Sequence, residues 1–233
     1  MPRINYREKI LTYQSTMLVI PMAPSTYDFW LFDLDGTLVD VEPSYPRRVF
    51  VEVGDRLGHG FSDREAEILW YGVGGAREDV IGRLDIGPER FWDVFHEVEG
   101  PERRARASFV YDDAATFVSE LDGPVGVVTH CQSYLTQPLL DRLDIRDWFD
   151  TVVCCDDEVG WKPDPRPVEL AMNDLGVSPD RSRGVLAGDD PADIGAAWNA
   201  GLDALYVGRV DPERRGQCVL GDHRVSSFAD VSL

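Results

Sequence analysis

The chain has 233 residues, with 42 acidic and 23 basic side chains, a formal net charge of −19, four cysteines and 43% hydrophobic residues. That is enough apolar chain for one core plus a small second unit, while the acidic excess argues against binding nucleic-acid phosphates or an anionic membrane surface. Cys131, Cys154, Cys155 and Cys218 lack C-x-x-C spacing, so reduced thiols and a cytoplasmic location are expected.

In chain order, residues 1–26 place Arg3, Arg7 and Lys9 ahead of Met17-Leu18-Val19-Ile20. The apolar stretch is short and broken by Thr16 and Pro21, so a disordered extension or a misassigned start at Met17 or Met22 is expected instead of a signal peptide. Phe29-Trp30-Leu31-Phe32 then reads as a buried strand running into Asp33-Leu34-Asp35-Gly36-Thr37. Residues two apart in an extended chain share a side, so Asp33 and Asp35 are expected to converge, with Gly36 turning the backbone away.

From about residue 41 to 110 the sequence reads mostly as helices. Ser62-Asp63-Arg64-Glu65 is a capping box ahead of Ile68-Leu69-Trp70, and Pro88 opens a segment with Phe91, Trp92, Phe95 and Val98 at helical spacing. This stretch is expected to form a small helical cap, with residues 27–40 and 111–233 as the core. Between the cap helices, the glycine-rich residues Tyr71 to Asp79 carry Arg77, placed either to grip an anionic substrate group or as a solvated helix-start arginine.

Beyond the cap, apolar runs alternate with helical patterns. Val125-Gly126-Val127-Val128 delivers Thr129 and His130; Thr151 to Cys155 leads towards Trp161-Lys162-Pro163; Gly184-Val185-Leu186-Ala187 delivers Gly188-Asp189-Asp190-Pro191-Ala192-Asp193; Ala204 to Val207 comes last. A helix is expected over Ser133 to Leu143 despite Pro138, and another from an Asp164-Pro165 start to Gly176. The alternation predicts an α/β fold with a doubly wound parallel sheet, in which ligands bind beyond the carboxyl ends of the strands. Asp33, Thr129, Lys162 and Asp189 all follow strands, so one crevice can collect them.

These four stretches, D-x-D-G-T at Asp33 to Thr37, the hydroxyl at Thr129, the lysine in W-K-P-D-P and G-D-x-x-x-D at Gly188 to Asp193, resemble the motifs of the haloacid dehalogenase-like hydrolase superfamily. The resemblance covers about residues 27 to 233 and is to the capped, phosphoglycolate phosphatase-like subclass; His130 departs from it, since relatives often carry Asn there. It implies that Asp33 attacks phosphorus to form an aspartyl phosphate, that Asp35 serves as acid and then base, and that Thr129 and Lys162 hold the phosphoryl group. Asp33, the Asp35 carbonyl and Asp189 would bind Mg²⁺, with Asp190 and Asp193 either further ligands or supports. The substrate is then a small phosphorylated metabolite, phosphoglycolate being one candidate. The acidic, arginine-rich composition also resembles that of proteins from salt-loving archaea.

Electrostatics reaches the cation independently. At an effective dielectric near 20, each pair of like charges about 4 Å apart costs about 4 kcal/mol, so clustered aspartates receiving a phosphate need positive charge. The only lysines are Lys9 and Lys162, so the second is expected to work in the crevice. Other readings remain open. Asp189, Asp190 and Asp193 also suit an acidic helix start, and His130 suits loop packing. A dehalogenase would lack the acid at Asp35, and a phosphonate hydrolase would need a cap lysine, which residues 41–110 do not contain. A sugar-phosphate mutase and an inactive binding domain are the remaining alternatives.

Overall fold

The computed structural model describes residues 27–72, 76–210 and 218–231. The expectation for residues 1–26 and the centre of the glycine-rich stretch before Arg77, residues 73–75, lie outside them. The first strand, β1 (Phe29–Phe32), is buried along its whole length because both its faces are covered. Trp30 and Phe32 point into one apolar cluster with Phe117, Leu139 and Phe228, and Phe29 and Leu31 into another with Val168, Met172 and Ile194. Two-residue alternation thus supplies both sides of the sheet from one strand.

A two-stranded antiparallel ladder follows, β2 (Val39–Val41) paired with β3 (Ser108–Val110). Between its strands run the helices α1 (Ser44–Leu57), α2 (Asp63–Tyr71), α3 (Arg77–Ile81), α4 (Pro88–Glu99) and α5 (Pro101–Ala107). They share a third apolar cluster, centred on Phe50, Phe91, Val94 and Phe95, that is distinct from the two flanking the sheet. The expected Ser62 capping box is present, Ser62 and Glu65 exchanging bonds at the start of α2.

The remaining chain is α6 (Asp112–Ser119), β4 (Val125–Thr129), α7 (Ser133–Leu143), β5 (Thr151–Cys154), α8 (Arg166–Leu175), β6 (Gly184–Gly188), α9 (Pro191–Asn199), β7 (Asp203–Val207) and β8 (His223–Val225). Six strands pair in parallel in the order β5-β4-β1-β6-β7-β8. β1 lies between β4 and β6, so the ends of these three strands open on one crevice.

Three details differ from the sequence reading. The short strands β2, β3 and β8 were not foreseen, three residues being too few to show alternation. The boundaries expected at residues 41 and 110 fall inside the β2–β3 ladder. Helix α8 begins at Arg166 with Pro165 as its flanking residue; Asp164 still accepts the Arg166 N–H at 2.9 Å, so the carboxylate acts one residue earlier than an ordinary N-cap.

Candidate active site

Each strand end delivers one polar group. After β1 the chain continues to Asp33, whose N–H still bonds the Ala187 carbonyl at 2.8 Å and so holds the residue against β6. β6 ends at Gly188, followed by Asp189 and then Asp190, which caps α9. Asp33, Asp189 and Asp193 are all buried, and each offers an oxygen within 4.8 Å of the others. Glycine makes that crowding possible. Gly36 has φ of 80°, and a Cβ there would lie 2.8 Å from the Asp189 carboxylate. A Cβ on Gly188 would collide with Asp193 at 2.3 Å.

Lys162 enters this acidic group from the β5–α8 connection. Its ammonium donates to Asp33 Oδ1 at 2.6 Å and the Val128 carbonyl at 2.8 Å, and lies 2.6 Å from Asp193 Oδ1. The acids outweigh the desolvation of the amine and raise its pKa, so it stays charged. Burial raises the Asp33 carboxyl well above the usual carboxylate range; Lys162 pulls it back, and Asp193 and Asp189 push it further up. Three close carboxylates and one ammonium leave an all-oxygen site short of positive charge, the donor set of a hard divalent cation.

The flanking acids hold the scaffold. Asp193 uses its second oxygen to accept the Asp190 N–H at 2.9 Å, and Asp190 accepts the Ala192 N–H at 2.9 Å, closing a capping box at α9. Thr129, at the end of β4, accepts the Cys131 N–H at 3.0 Å, which orients its hydroxyl and leaves the O–H to donate. His130 stands against Trp161 at 5.6 Å between ring centres; desolvation and the Lys162 charge push it down to about 4, so it is neutral at ordinary pH.

One expected placement changes. The Asp35 carboxylate is not among the clustered acids but pairs with the Arg104 guanidinium on α5. Alternation puts residues two apart on one side only while a strand lasts, and β1 ends at Phe32. The cluster therefore holds three acids with Lys162, where four were expected, and the fourth is paired with a second buried cation instead. Arg77, in turn, gives Nε to the Leu69 carbonyl at 3.0 Å and Nη2 to that of Trp70 at 3.2 Å, bracing the end of α2. It lines a cavity of about 420 Å³ with Gly72, Glu78, Pro163, Asp190 and Ala192, between the helical segment and the end of the sheet.

Arg104 was missed by the sequence reading, as was Glu99, whose Oε1 lies 3.6 Å from Arg104 Nε. Burial pushes Glu99 up to about 7, Arg104 pulling it down and Asp35 pushing it up. A carboxyl raised on folding contributes stability that is fully present below its unfolded value, 4.5, and lost as pH rises through about 7. Relative to Glu99→Gln, the protein should therefore lose about 3 kcal/mol of unfolding free energy over that range. Denaturant melts of both at pH 5 and pH 8 check this, and identical pH dependence would mean that Glu99 is ionised throughout.

The description "haloacid dehalogenase-like hydrolase" belongs to the family model that matches residues 30–201. N-acetylmuramic acid 6-phosphate phosphatase of Pseudomonas aeruginosa is 31% identical over 212 residues, covering 83% of this chain and 89% of that one. Phosphoglycolate phosphatase of Escherichia coli K12 is 28% identical over 201 residues, covering 75% and 78%. Among solved structures, CbbY from Rhodobacter sphaeroides in complex with phosphate superposes with a TM-score of 0.67 at 25% identity, covering 89% of this chain and all of that one.

Proposed function

Because the chain belongs to the haloacid dehalogenase-like hydrolase family, we propose that it is a phosphatase hydrolysing a small phosphomonoester through an aspartyl phosphate on Asp33. The observation that carries this reading is the Asp33 carboxylate, 2.6 Å from the Lys162 ammonium and clustered with Asp189 and Asp193 at the end of the central strand. Asp33 attacks phosphorus, and the P–O bond to the alcohol breaks as the alcohol oxygen takes a proton from Asp35. Asp35, now a carboxylate, takes a proton from water, which attacks the phosphorus of the aspartyl phosphate and regenerates Asp33 with release of inorganic phosphate. Lys162 and the Thr129 hydroxyl hold the phosphoryl oxygens, and Asp193 holds Lys162 in place.

The acids fit Mg²⁺. Asp33, the Asp35 carbonyl and Asp189 are its proposed ligands, with Asp190 and Asp193 fixing the loop that carries Asp189. When bound, the ion draws charge from the phosphoryl oxygens and relieves the repulsion among the aspartates.

Residues 41–110 are proposed as a cap over the crevice, with 27–40 and 111–233 as the catalytic core. The separate apolar cluster of α1 to α5 supports that division. The candidate substrates are those of the relatives, phosphoglycolate and N-acetylmuramic acid 6-phosphate. The net charge of −19 suits a salt-rich cytoplasm, and the free thiols of all four cysteines suit a reducing one. No helix among the described residues is long and apolar enough to cross a membrane.

The test is phosphate release from a panel of phosphorylated metabolites, assayed with Mg²⁺ at high and low salt. Chelation should abolish release and added Mg²⁺ restore it, while Asp189→Ala should raise the Mg²⁺ concentration for half-activity by at least about tenfold. Full activity in excess chelator would rule out the metal-assisted route.

A further inference from the structure

Among the described residues the buried cations are Lys162 and Arg104. Lys162 is bonded on every side. Arg104 is not: its Nη2 meets Asp35, but Nη1 and Nε have no hydrogen-bond partner, Glu99 standing 3.6 Å from Nε. Leaving guanidinium N–H groups unmade away from water is costly, so an arrangement that does so invites a further acceptor. Trp70 fixes the plane of the guanidinium from the cap side, with its ring centre 4.9 Å away.

Asp35 is the guanidinium's acceptor and the more exposed member of the pair. Its side chain is 35% exposed, against 3% for Arg104, so movement of one carboxylate uncovers the guanidinium. Asp35 also has work elsewhere, since in the phosphatase reading it must reach the ester oxygen. Each time it does so Arg104 loses its acceptor on that side.

We propose that a carboxylate on the leaving group of the substrate takes the place of Asp35 on Arg104. The planar fork of an arginine suits a carboxylate held by two parallel bonds, and Nη1 and Nη2 offer that pair. One exchange then does two things. It fixes the alcohol portion beside the crevice, and it sets Asp35 free at the ester oxygen next to that portion. The substrate class is a phosphorylated hydroxy acid, selected over neutral phosphate esters by Arg104. Arg77 is less suited to the task, since two of its N–H groups already bond the Leu69 and Trp70 carbonyls.

The inference rests on the phosphatase reading, and the experiment separates the two. Phosphate release is measured for 2-phosphoglycolate, for the neutral analogue 2-hydroxyethyl phosphate and for p-nitrophenyl phosphate, in the wild type and in Arg104→Gln, Arg104→Lys and Arg77→Gln. The wild type should favour 2-phosphoglycolate over 2-hydroxyethyl phosphate by about tenfold to a hundredfold in kcat/KM, the range for a charged hydrogen bond. That ratio should collapse to about threefold or less in Arg104→Gln, recover in part in Arg104→Lys, and persist in Arg77→Gln. A structural role alone would slow all three esters together and leave the ratio untouched. If Arg104→Gln does not fold, Arg104→Lys, which keeps the charge but not the fork, still reports the ratio. Equal use of the two alkyl esters by the wild type, or a ratio undiminished in Arg104→Gln or Arg104→Lys, overturns the assignment to Arg104. Absence of phosphate release from all three esters and from N-acetylmuramic acid 6-phosphate in Mg²⁺ overturns the phosphatase reading and this inference with it.

Discussion

Asp33→Asn should reduce phosphate release by at least about a thousandfold while leaving the protein folded, because the amide keeps the shape of the carboxylate but cannot attack phosphorus. The stability half of this expectation follows from the site's charges. Asp33 is a buried acid raised by its own desolvation and by Asp193 and Asp189, so ionising it costs the metal-free protein free energy. A neutral amide removes that cost, and Lys162 keeps Asp193 at 2.6 Å as its partner. Melting in chelator should therefore show a variant as stable as the wild type or more so. With Mg²⁺ present the order should reverse, since the variant has lost one ligand and gains less from the ion. Retained turnover in Asp33→Asn would end the aspartyl phosphate scheme. A variant that is inactive because it is unfolded would show in the melt.

How much of this was legible in the sequence depends on where each residue sits. Asp33 and Asp189 follow, and Thr129 ends, a strand whose apolar run is visible, so the fold itself announces their position. Lys162 stood out through rarity, being one of two lysines. Arg104 had neither advantage. It is one of 21 arginines, in the run Pro101-Glu102-Arg103-Arg104-Ala105-Arg106, and only the phase of a seven-residue helix turns it inward while Arg106 faces water. The small neighbours Ala105 and Ala107, both buried, were the one available sign of which face packs. The placement of Asp35 failed for a different reason. A rule for extended chain was carried three residues past the end of the strand, where a turn begins and long-range charge decides which way a side chain points. The six-stranded order was not read at all, since it depends on crossovers and not on any local pattern.

Lys162→Met should be the most damaging single change to fold and activity together. The methionine fills a similar volume, so the loss isolates the charge. Lys162 holds Asp33 and Asp193 at 2.6 Å each and satisfies the Val128 carbonyl at 2.8 Å, with 2% of its side chain exposed. Removing it leaves two buried carboxylates facing each other beside Asp189, and breaking a buried ion pair from one side costs about 3–5 kcal/mol. Denaturant unfolding in chelator should show a loss of that order. Adding Asp193→Asn to the variant should return part of it, because the double change deletes both members of one pair; the two substitutions are then coupled and not additive. Activity should fall by about a thousandfold or more on 2-phosphoglycolate and p-nitrophenyl phosphate alike, since the ammonium serves the phosphoryl group they share. The pH dependence follows with the same sign. Lys162 has its pKa raised by folding, so its stabilisation is fully present below the unfolded value of 10.5 and is lost only as pH rises through the still higher folded one. The wild type should accordingly show no loss of activity traceable to this amine below about pH 10. A Lys162→Met protein as stable in chelator as the wild type would mean that the ammonium does not offset the charge of these acids, and would remove the electrostatic case for a cation at their centre.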